Sequence, residues 1–307
     1  MATRAATDAQ TTFRDRMVEA GVIVPMGVDG LLGKGRAFMD VFSGLDALLS
    51  ATVQGEPHEF FRFPPLVPRS VLERTDYPRS FPDLIGTIHS FSGGDADHAE
   101  LVRMLGDGED WTQALDATEV TLLPASCYPL YPMAAGQPLP DGGRTFDVLG
   151  TCFRNEPSAD AARQQIFHQR EFVRIGSPDD ALDFRDMWLA RSLEILTGLG
   201  LDVRSEVAND PFFGRAGRML AANQRGAALK YEVVATVGDA EHPTAIASCN
   251  CHQDHLGAAF GIDQTDGTVA HSACVGFGME RIVLALFAAH GTDLAGWPTD
   301  VRSRLWP

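Results

Sequence analysis

The segment FRNEPSADAARQQIFHQREFVRIG, residues 153–176, sets Arg154 and Glu156 two positions apart, ahead of a small polar loop. Two residues apart on a strand, side chains share a face and can act on one ligand. A guanidinium offers a planar fork of donors that matches phosphate oxygens, and a neighbouring carboxylate can accept from an amine such as the one on adenine. Alone, the pair reads better as a surface ion bridge than as a ligand site. A second segment, GFGMERIVLAL at 276–286, places two glycines just before Arg281 at the start of an apolar helix. Glycines there let backbone pass close to a ligand. By itself this is a glycine turn followed by a helix-surface arginine; the two segments together are more specific than either.

Metal chemistry has two candidate donor sets. SCNCHQDHLG holds Cys249, Cys251, His252 and His255 within seven residues, thiols and imidazoles of the kind that bind zinc. On a strand, however, 249 and 251 share one face while 252 points away, and the spacing is not that of a zinc finger. Cys127 in LLPASCYPLYP, Glu171 in FHQREFVRIG and Cys274 in HSACVGFGMER are far apart in sequence, and spacing cannot say whether they meet. The glycine-rich MGVDGLLGKG at 26–35 lacks the order of a phosphate loop, because Lys34 is followed by Gly35, and reads as a plain loop.

The elements that must position these residues belong to a globular chain of 307 residues, with 45% hydrophobic and 21% charged residues. With 25 basic against 41 acidic residues, the formal charge of −16 opposes broad binding to a phosphate backbone, though a local arginine patch can still serve an anion such as ATP. Five cysteines, an odd number in a long chain, do not look like a disulfide framework. No signal-peptide core or bilayer-length apolar run is evident, so a soluble cytoplasmic protein is expected, with no membrane partner.

Residues 1–59 are expected to form an N-terminal helical layer, with helices near 11–20 and 36–50, and residues 60–307 the main domain. A proline-rich tract at 60–92 reads as strands and turns, 95–106 as a short helix, and EVTLLPASCYPLYP as strand. Ser177, Pro178, Asp179 and Asp180 make a strong helix start, with a side-chain cap, a proline at the first helical position and acids at the positive end. Leu182, Leu189, Leu193 and Leu196 carry that helix to about Gly198. LDVRSEV, LKYEVVATV and HPTAIASCNCH read as strands, and MERIVLALFAAH as a helix with Ile282, Val283, Leu286 and Phe287 on one face. Antiparallel-looking strands separated by helices, without regular βαβ units or repeats, indicate an α+β fold.

FRNE together with GFGMER resembles motifs two and three of class II aminoacyl-tRNA synthetases. The run from about 60 to 290 is similar to the amino acid:[carrier protein] ligases, atypical seryl-tRNA synthetase homologues related to the methanogen-type enzymes. The proline-rich stretch near 64–82 stands where a divergent motif one would lie. The resemblance implies a class II antiparallel sheet flanked by helices, without a tRNA-binding domain. It implies Arg154 at the α-phosphate of ATP, Glu156 on adenine's side, Phe172 beneath the base and Arg281 at the terminal phosphates. Lys230 and Glu232, two apart, could face the same pocket, and Ser248 and Asn250 stand where the family contacts ATP and substrate. Cys127, Glu171 and Cys274 are implied to bind one zinc per subunit, its open position taking the amino group of a small amino acid, glycine or alanine, with a serine-sized pocket also open. Mg²⁺ would accompany ATP. One departure is Ala245, where ordinary seryl-tRNA synthetases carry the Glu of E-x-x-S-C.

The acceptor implied is the phosphopantetheine thiol of a holo carrier protein rather than tRNA, because the first 60 residues have neither the size nor the basic charge of a tRNA-binding module. A homodimer is implied as well. DPFFGRAGRMLAANQRGAALK offers Arg215, Arg218 and Arg225 along with Lys230 against a single acid, a docking element for an acidic carrier or, equally, a plain amphipathic surface helix. Two other classes stay open. One is a tRNA-charging enzyme, distinguished by charged tRNA product. The other is a non-catalytic synthetase-like binding protein, against which Arg154, Glu156 and Arg281 argue.

Overall fold

A computed structural model describes residues 6–210, 224 and 228–307. The helices Asp8–Glu19 and Arg36–Thr52 flank a small hairpin of β1 (Ile23–Pro25) and β2 (Leu32–Lys34). The glycine-rich stretch read as a loop is thus the turn and second strand of this hairpin, with Gly30 at φ 77. β3 (Glu59–Phe63) follows, and then a three-stranded sheet of β4 (Leu66–Pro68), β5 (Thr87–Ser90) and β6 (Asp116–Leu122), with the helix Asp95–Asp107 between the last two strands. LLPASCYPLYP departs from expectation. β6 ends at Leu122, and only residues 130–134 regain regular structure, as the helix Leu130–Ala134. Pro124 and Pro129 supply no N–H to a ladder, which is why the strand cannot continue.

The second half builds the main sheet from β7 (Arg144–Phe153), β8 (Ile166–Gly176), β9 (Val203–Val207), β10 (Lys230–Val237), β11 (Asp239–Gln253) and β12 (His271–Gly278). With β3 it has seven strands in the order β3-β7-β8-β12-β11-β10-β9. β3 runs parallel to β7, and every other neighbouring pair is antiparallel. The helix Pro178–Gly198 starts as its sequence dictates. Ser177 Oγ accepts from the Asp180 N–H while Asp180 accepts from the Ser177 N–H, and Pro178 stands at the first helical position.

This helix and Met279–His290 cover one face of the sheet, burying Phe172, Val275, Phe277, Val233 and Trp188 in one core. Phe13, Met17, Phe38 and Leu45 of the N-terminal helices join that same core, so their apolar stripes are satisfied against the sheet's helical cover. The other sheet face carries a second apolar cluster, in which Phe146, Val148, Val173 and Ile175 pack with Leu130, Tyr131, Leu256 and Phe260, and beside it a patch of polar side chains and glycine. Among the described residues no helix is long and apolar enough to cross a membrane.

Candidate active site

Strand register lays the polar face out in rows. Val148, Glu171, Gly276, Ser248 and Glu232 are direct partners across five adjacent strands. The neighbouring row holds Val173, Cys274, Asn250 and Lys230. Because side chains alternate along a strand, both rows point to the same side. Gly276 is the floor of this face: a Cβ there would meet Glu171 Cγ at 3.6 Å, and Gln169 Nε2 and Ser248 Oγ each at 3.8 Å. Gln169 is held in place by the Cys152 thiol, which donates to its Oε1 at 3.2 Å.

Three guanidiniums gather at the end of these rows. Arg154 leaves β7 with Nε donating to the Pro124 carbonyl at 3.2 Å, and Arg281 opens its helix with Nε on Ala162 O (3.0 Å) and Nη1 on Ala245 O (2.9 Å). At Ala245, therefore, it is the backbone carbonyl that anchors Arg281. The third is Arg163, in the loop between β7 and β8, which pairs with Glu156 at 3.2 Å. Burial first, then the charges of Arg163 and Arg154, push Arg281 below its usual pKa against the pull of Glu156 and Glu232. Like charges crowded this way are the signature of an anion site. The loop carrying Arg163 is fixed by the N-terminal hairpin: the Gln165 N–H donates to Gly30 O at 2.9 Å, Gln165 Nε2 to Asp29 O at 2.8 Å, and Lys34 Nζ to Gln164 Oε1 at 2.5 Å.

Cys127, Glu171 and Cys274 do meet, although Cys127 comes from the turn after β6 and not from a strand. Glu171 is buried, accepts from the Ser126 N–H at 3.0 Å and is hydrogen-bonded by the Cys127 thiol. Burial raises its pKa, opposed by the bonds from Cys127 and Ser126 and by Arg154. Burial, then the Glu171 charge, pushes both thiols well above their usual range. Cys274 Sγ accepts from Asn250 Nδ2 at 3.4 Å and lies 3.6 Å from His252 Nε2. His252 is pushed down to about 4, chiefly by burial, and is neutral at pH 7. Two thiols and a carboxylate that oppose one another's ionisation form a donor set chemically suited to zinc. Among the described residues, however, no group of three His, Cys, Asp or Glu is already arranged to hold a metal ion. The local set is split by the sheet, since Cys249 and Cys251 are buried on the helix side and His252 bonds Ser272 on the other.

Phe172 is corrected by the structure. It is 1% exposed, stacks on Trp188 at 4.3 Å between ring centres and meets Phe277 edge-on, all on the helix side. Being adjacent to Glu171 on a strand, it faces away from the pocket. An aromatic beside the arginines on the pocket side is Phe167, four residues before Glu171, with the Arg154 guanidinium 5.4 Å from its ring centre. Lys230 is not a free cation: it lies between Asp210 (2.5 Å) and Glu232 (3.1 Å). Ser248 and Asn250 are neighbours, Nδ2 of Asn250 donating to Ser248 Oγ at 3.3 Å. Arg215, Arg218 and Arg225 lie outside the described residues. Sequence reasoning missed Arg163, Gln169 and Phe167; of these, Gln169 and Phe167, two and four residues before Glu171 on one strand, were accessible from alternation alone.

No family model matches the chain. It is 42% identical over 281 residues to amino acid–[acyl-carrier-protein] ligase 1 of Bradyrhizobium diazoefficiens, covering 91% of this chain and 86% of that protein. Ligase 2 of the same organism is 43% identical over 282 residues, covering 91% and 84%. The type-2 serine–tRNA ligase of Methanococcus aeolicus is 26% identical over 192 residues, 60% of this chain and 37% of that protein. Among solved structures, the Methanopyrus kandleri seryl-tRNA synthetase in complex with Aquifex aeolicus tRNASec superposes with a TM-score of 0.80 at 22% identity, covering 99% of this chain and 61% of that one. The Pyrococcus horikoshii seryl-tRNA synthetase complexed with ATP superposes at 0.68 and 16% identity, covering 91% and 58%. These two share the class II synthetase fold with this chain.

Proposed function

Because the chain belongs to the amino acid–[acyl-carrier-protein] ligase family, we propose that it activates a small amino acid, glycine or alanine, with ATP and passes it to the phosphopantetheine thiol of a holo carrier protein. What supports this most is the polar sheet face itself, where the arginine cluster and the buried Cys127–Glu171–Cys274 set lie at neighbouring positions over a glycine floor.

In the first step a carboxylate oxygen of the amino acid attacks the α-phosphorus, the bond from that phosphorus to the bridging oxygen breaks, and pyrophosphate leaves. Arg154 holds the α-phosphate, and Arg281 with Arg163 takes the terminal phosphates. Phe167 lies under adenine, and Glu156 faces its amine. Catalysis is positioning plus charge stabilisation, for which Arg154 and Arg281 are already fixed by backbone carbonyls and Arg163 by Glu156, and no side-chain nucleophile is needed. In the second step the carrier thiolate attacks the carbonyl carbon of the adenylate, and AMP leaves.

Cys127, Glu171 and Cys274 would hold one zinc per subunit, which when bound supplies an open coordination position for the substrate amino group. Mg²⁺ would travel with ATP and share its charge. Gln169 and Asn250, on either side of Gly276, then line the amino-acid end of the pocket. The basic residues Arg215, Arg218 and Arg225 are proposed to dock the acidic carrier, and the protein to act as a homodimer. Charge reversal at Arg215 and Arg218 would lower transfer to the carrier and leave adenylate formation intact.

The test is pyrophosphate exchange with each amino acid, with and without a chelator. Exchange dependent on glycine or alanine and lost on chelation is expected; no exchange with any amino acid contradicts the reading.

A further inference from the structure

Tyr77 opens the short helix Tyr77–Ser80, and its hydroxyl is buried with no hydrogen-bond partner. The residue is 5% exposed, its ring 6.0 Å from Tyr128 at 77° and 4.9 Å from Phe81. Buried tyrosine hydroxyls ordinarily find a partner, and leaving one without is destabilising. The preceding residue, Asp76, has φ 61 and ψ 6, a left-handed conformation that is strained for a residue with a Cβ. It fixes the direction in which Tyr77 leaves the chain. Two costly features side by side point to a use.

That use is suggested by what the segment is fastened to. The Asn155 N–H donates to Leu84 O at 3.1 Å and its Nδ2 to Asp83 O at 3.3 Å. The residue next to Arg154 is therefore tied to the chain just after Tyr77. Packing here is tight, since a Cβ on Gly86 would lie 2.6 Å from the Phe153 ring. Burial lifts Tyr77 to about 12, and Arg154 is the strongest charge acting against that rise. After burial, Tyr77 is in turn the group that acts most on Arg154. The phenol is a neutral donor at pH 7 without a partner of its own, and it feels the charge of Arg154.

We propose that Tyr77 is a ligand-contact residue whose hydroxyl donates to an oxygen of the α-phosphate held by Arg154, in ATP and in the aminoacyl-adenylate. The assignment rests on the function proposed above and adds a residue to it from outside motifs two and three. In the ligand-free protein the hydroxyl is an unpaired buried group, and the bound phosphate completes it. Removing it therefore affects affinity and stability differently, which a structural tyrosine would not do.

Tyr77→Phe deletes the oxygen and keeps the ring against Tyr128 and Phe81. Binding of glycyl- and alanyl-sulfamoyl-adenosine, whose sulfonyl oxygens stand in for those of the phosphate, is measured by calorimetry together with the thermal midpoint of the ligand-free protein. Affinity is expected to fall roughly tenfold to a hundredfold, with a midpoint that holds or rises. Affinity within about twofold of the parent protein, or a midpoint that drops as it would on loss of a structural hydrogen bond, overturns the assignment. A parent protein that binds neither analogue removes the proposed function and this assignment with it. A parent that binds while Tyr77→Phe binds equally well removes the assignment alone.

Discussion

Replacing Gly276 by alanine adds one methyl group to the middle of the polar sheet face. Its Cβ would lie 3.6 Å from Glu171 Cγ and 3.8 Å from both Gln169 Nε2 and Ser248 Oγ, all ordinary van der Waals contacts. Nothing has to move, and a strand alanine in place of glycine reduces the freedom of the unfolded chain, a gain of about 0.5–1 kcal/mol. For a chain of this size that corresponds to a rise in the thermal midpoint of roughly 1–3 °C. The substrate behaves otherwise. If the amino acid lies on this floor beside Glu171, the methyl takes space it needs, and a misfit of one methylene in such a pocket is worth about 1–3 kcal/mol, or roughly 10- to 200-fold. Pyrophosphate exchange by Gly276→Ala should therefore lose about tenfold or more in kcat/KM with glycine. Alanine should lose further, since its own methyl competes for the same volume, while the KM for ATP stays near that of the parent. Unchanged kcat/KM for both amino acids, in a folded variant, would refute the placement of the substrate over Gly276. A falling midpoint would refute the packing argument.

Two aromatic substitutions separate the faces of β8. Phe172→Ala should cost about 3–5 kcal/mol of stability, because a fully buried ring stacked on Trp188 is lost, and leave the KM for ATP of the folded fraction unchanged. Phe167→Ala should raise that KM about tenfold through loss of a base-stacking surface, with little change in midpoint; the opposite pattern would restore Phe172 to the pocket. Asp239 ties the N-terminal helix to the sheet by accepting from Thr7 Oγ1 (2.7 Å), His242 Nδ1 (2.9 Å) and the Glu241 N–H (2.9 Å). The Thr7 bond first, then that of His242, lowers its pKa from 3.8 to about 2. A depressed carboxyl contributes stability above its unfolded pKa and loses it as pH falls through its folded one. The difference in thermal midpoint between the parent and Asp239→Asn should thus be present at about pH 5, shrink below about pH 4 and vanish near pH 2; a difference that persists at the acid end would contradict it.

Arg154 and Arg281 were legible in sequence because each stands at the end of an element whose own signals are strong, Arg154 after a strand and Arg281 at the first turn of an apolar helix; Arg163, in the loop between β7 and β8, was not. The meeting of Cys127, Glu171 and Cys274 was not, because no local rule links residues that far apart; it follows from β12 lying beside β8, with Gly276 opposite Glu171. Phe172 was misplaced through resemblance where alternation would have served better, since neighbours on a strand cannot both face one ligand. Cys127 sits in a turn because two prolines stop β6, a signal present in LLPASCYP but outweighed there by its apolar run. Tyr77 lies in a proline-rich tract without periodicity, and its interest comes from a missing partner, which only three-dimensional packing reveals. The N-terminal hairpin shows the same limit: Gly30 reads as a loop glycine, yet its carbonyl receives the Gln165 N–H and so braces the loop that carries Arg163.

The central claim is tested most directly by following a labelled amino acid to its acceptor. The protein is incubated with ATP, Mg²⁺ and radiolabelled glycine or alanine, in parallel with holo carrier protein, apo carrier protein lacking phosphopantetheine, and tRNA. Label on the holo carrier alone, released by base or hydroxylamine as a thioester should be, is the predicted result. Label on tRNA with none on the holo carrier would contradict it.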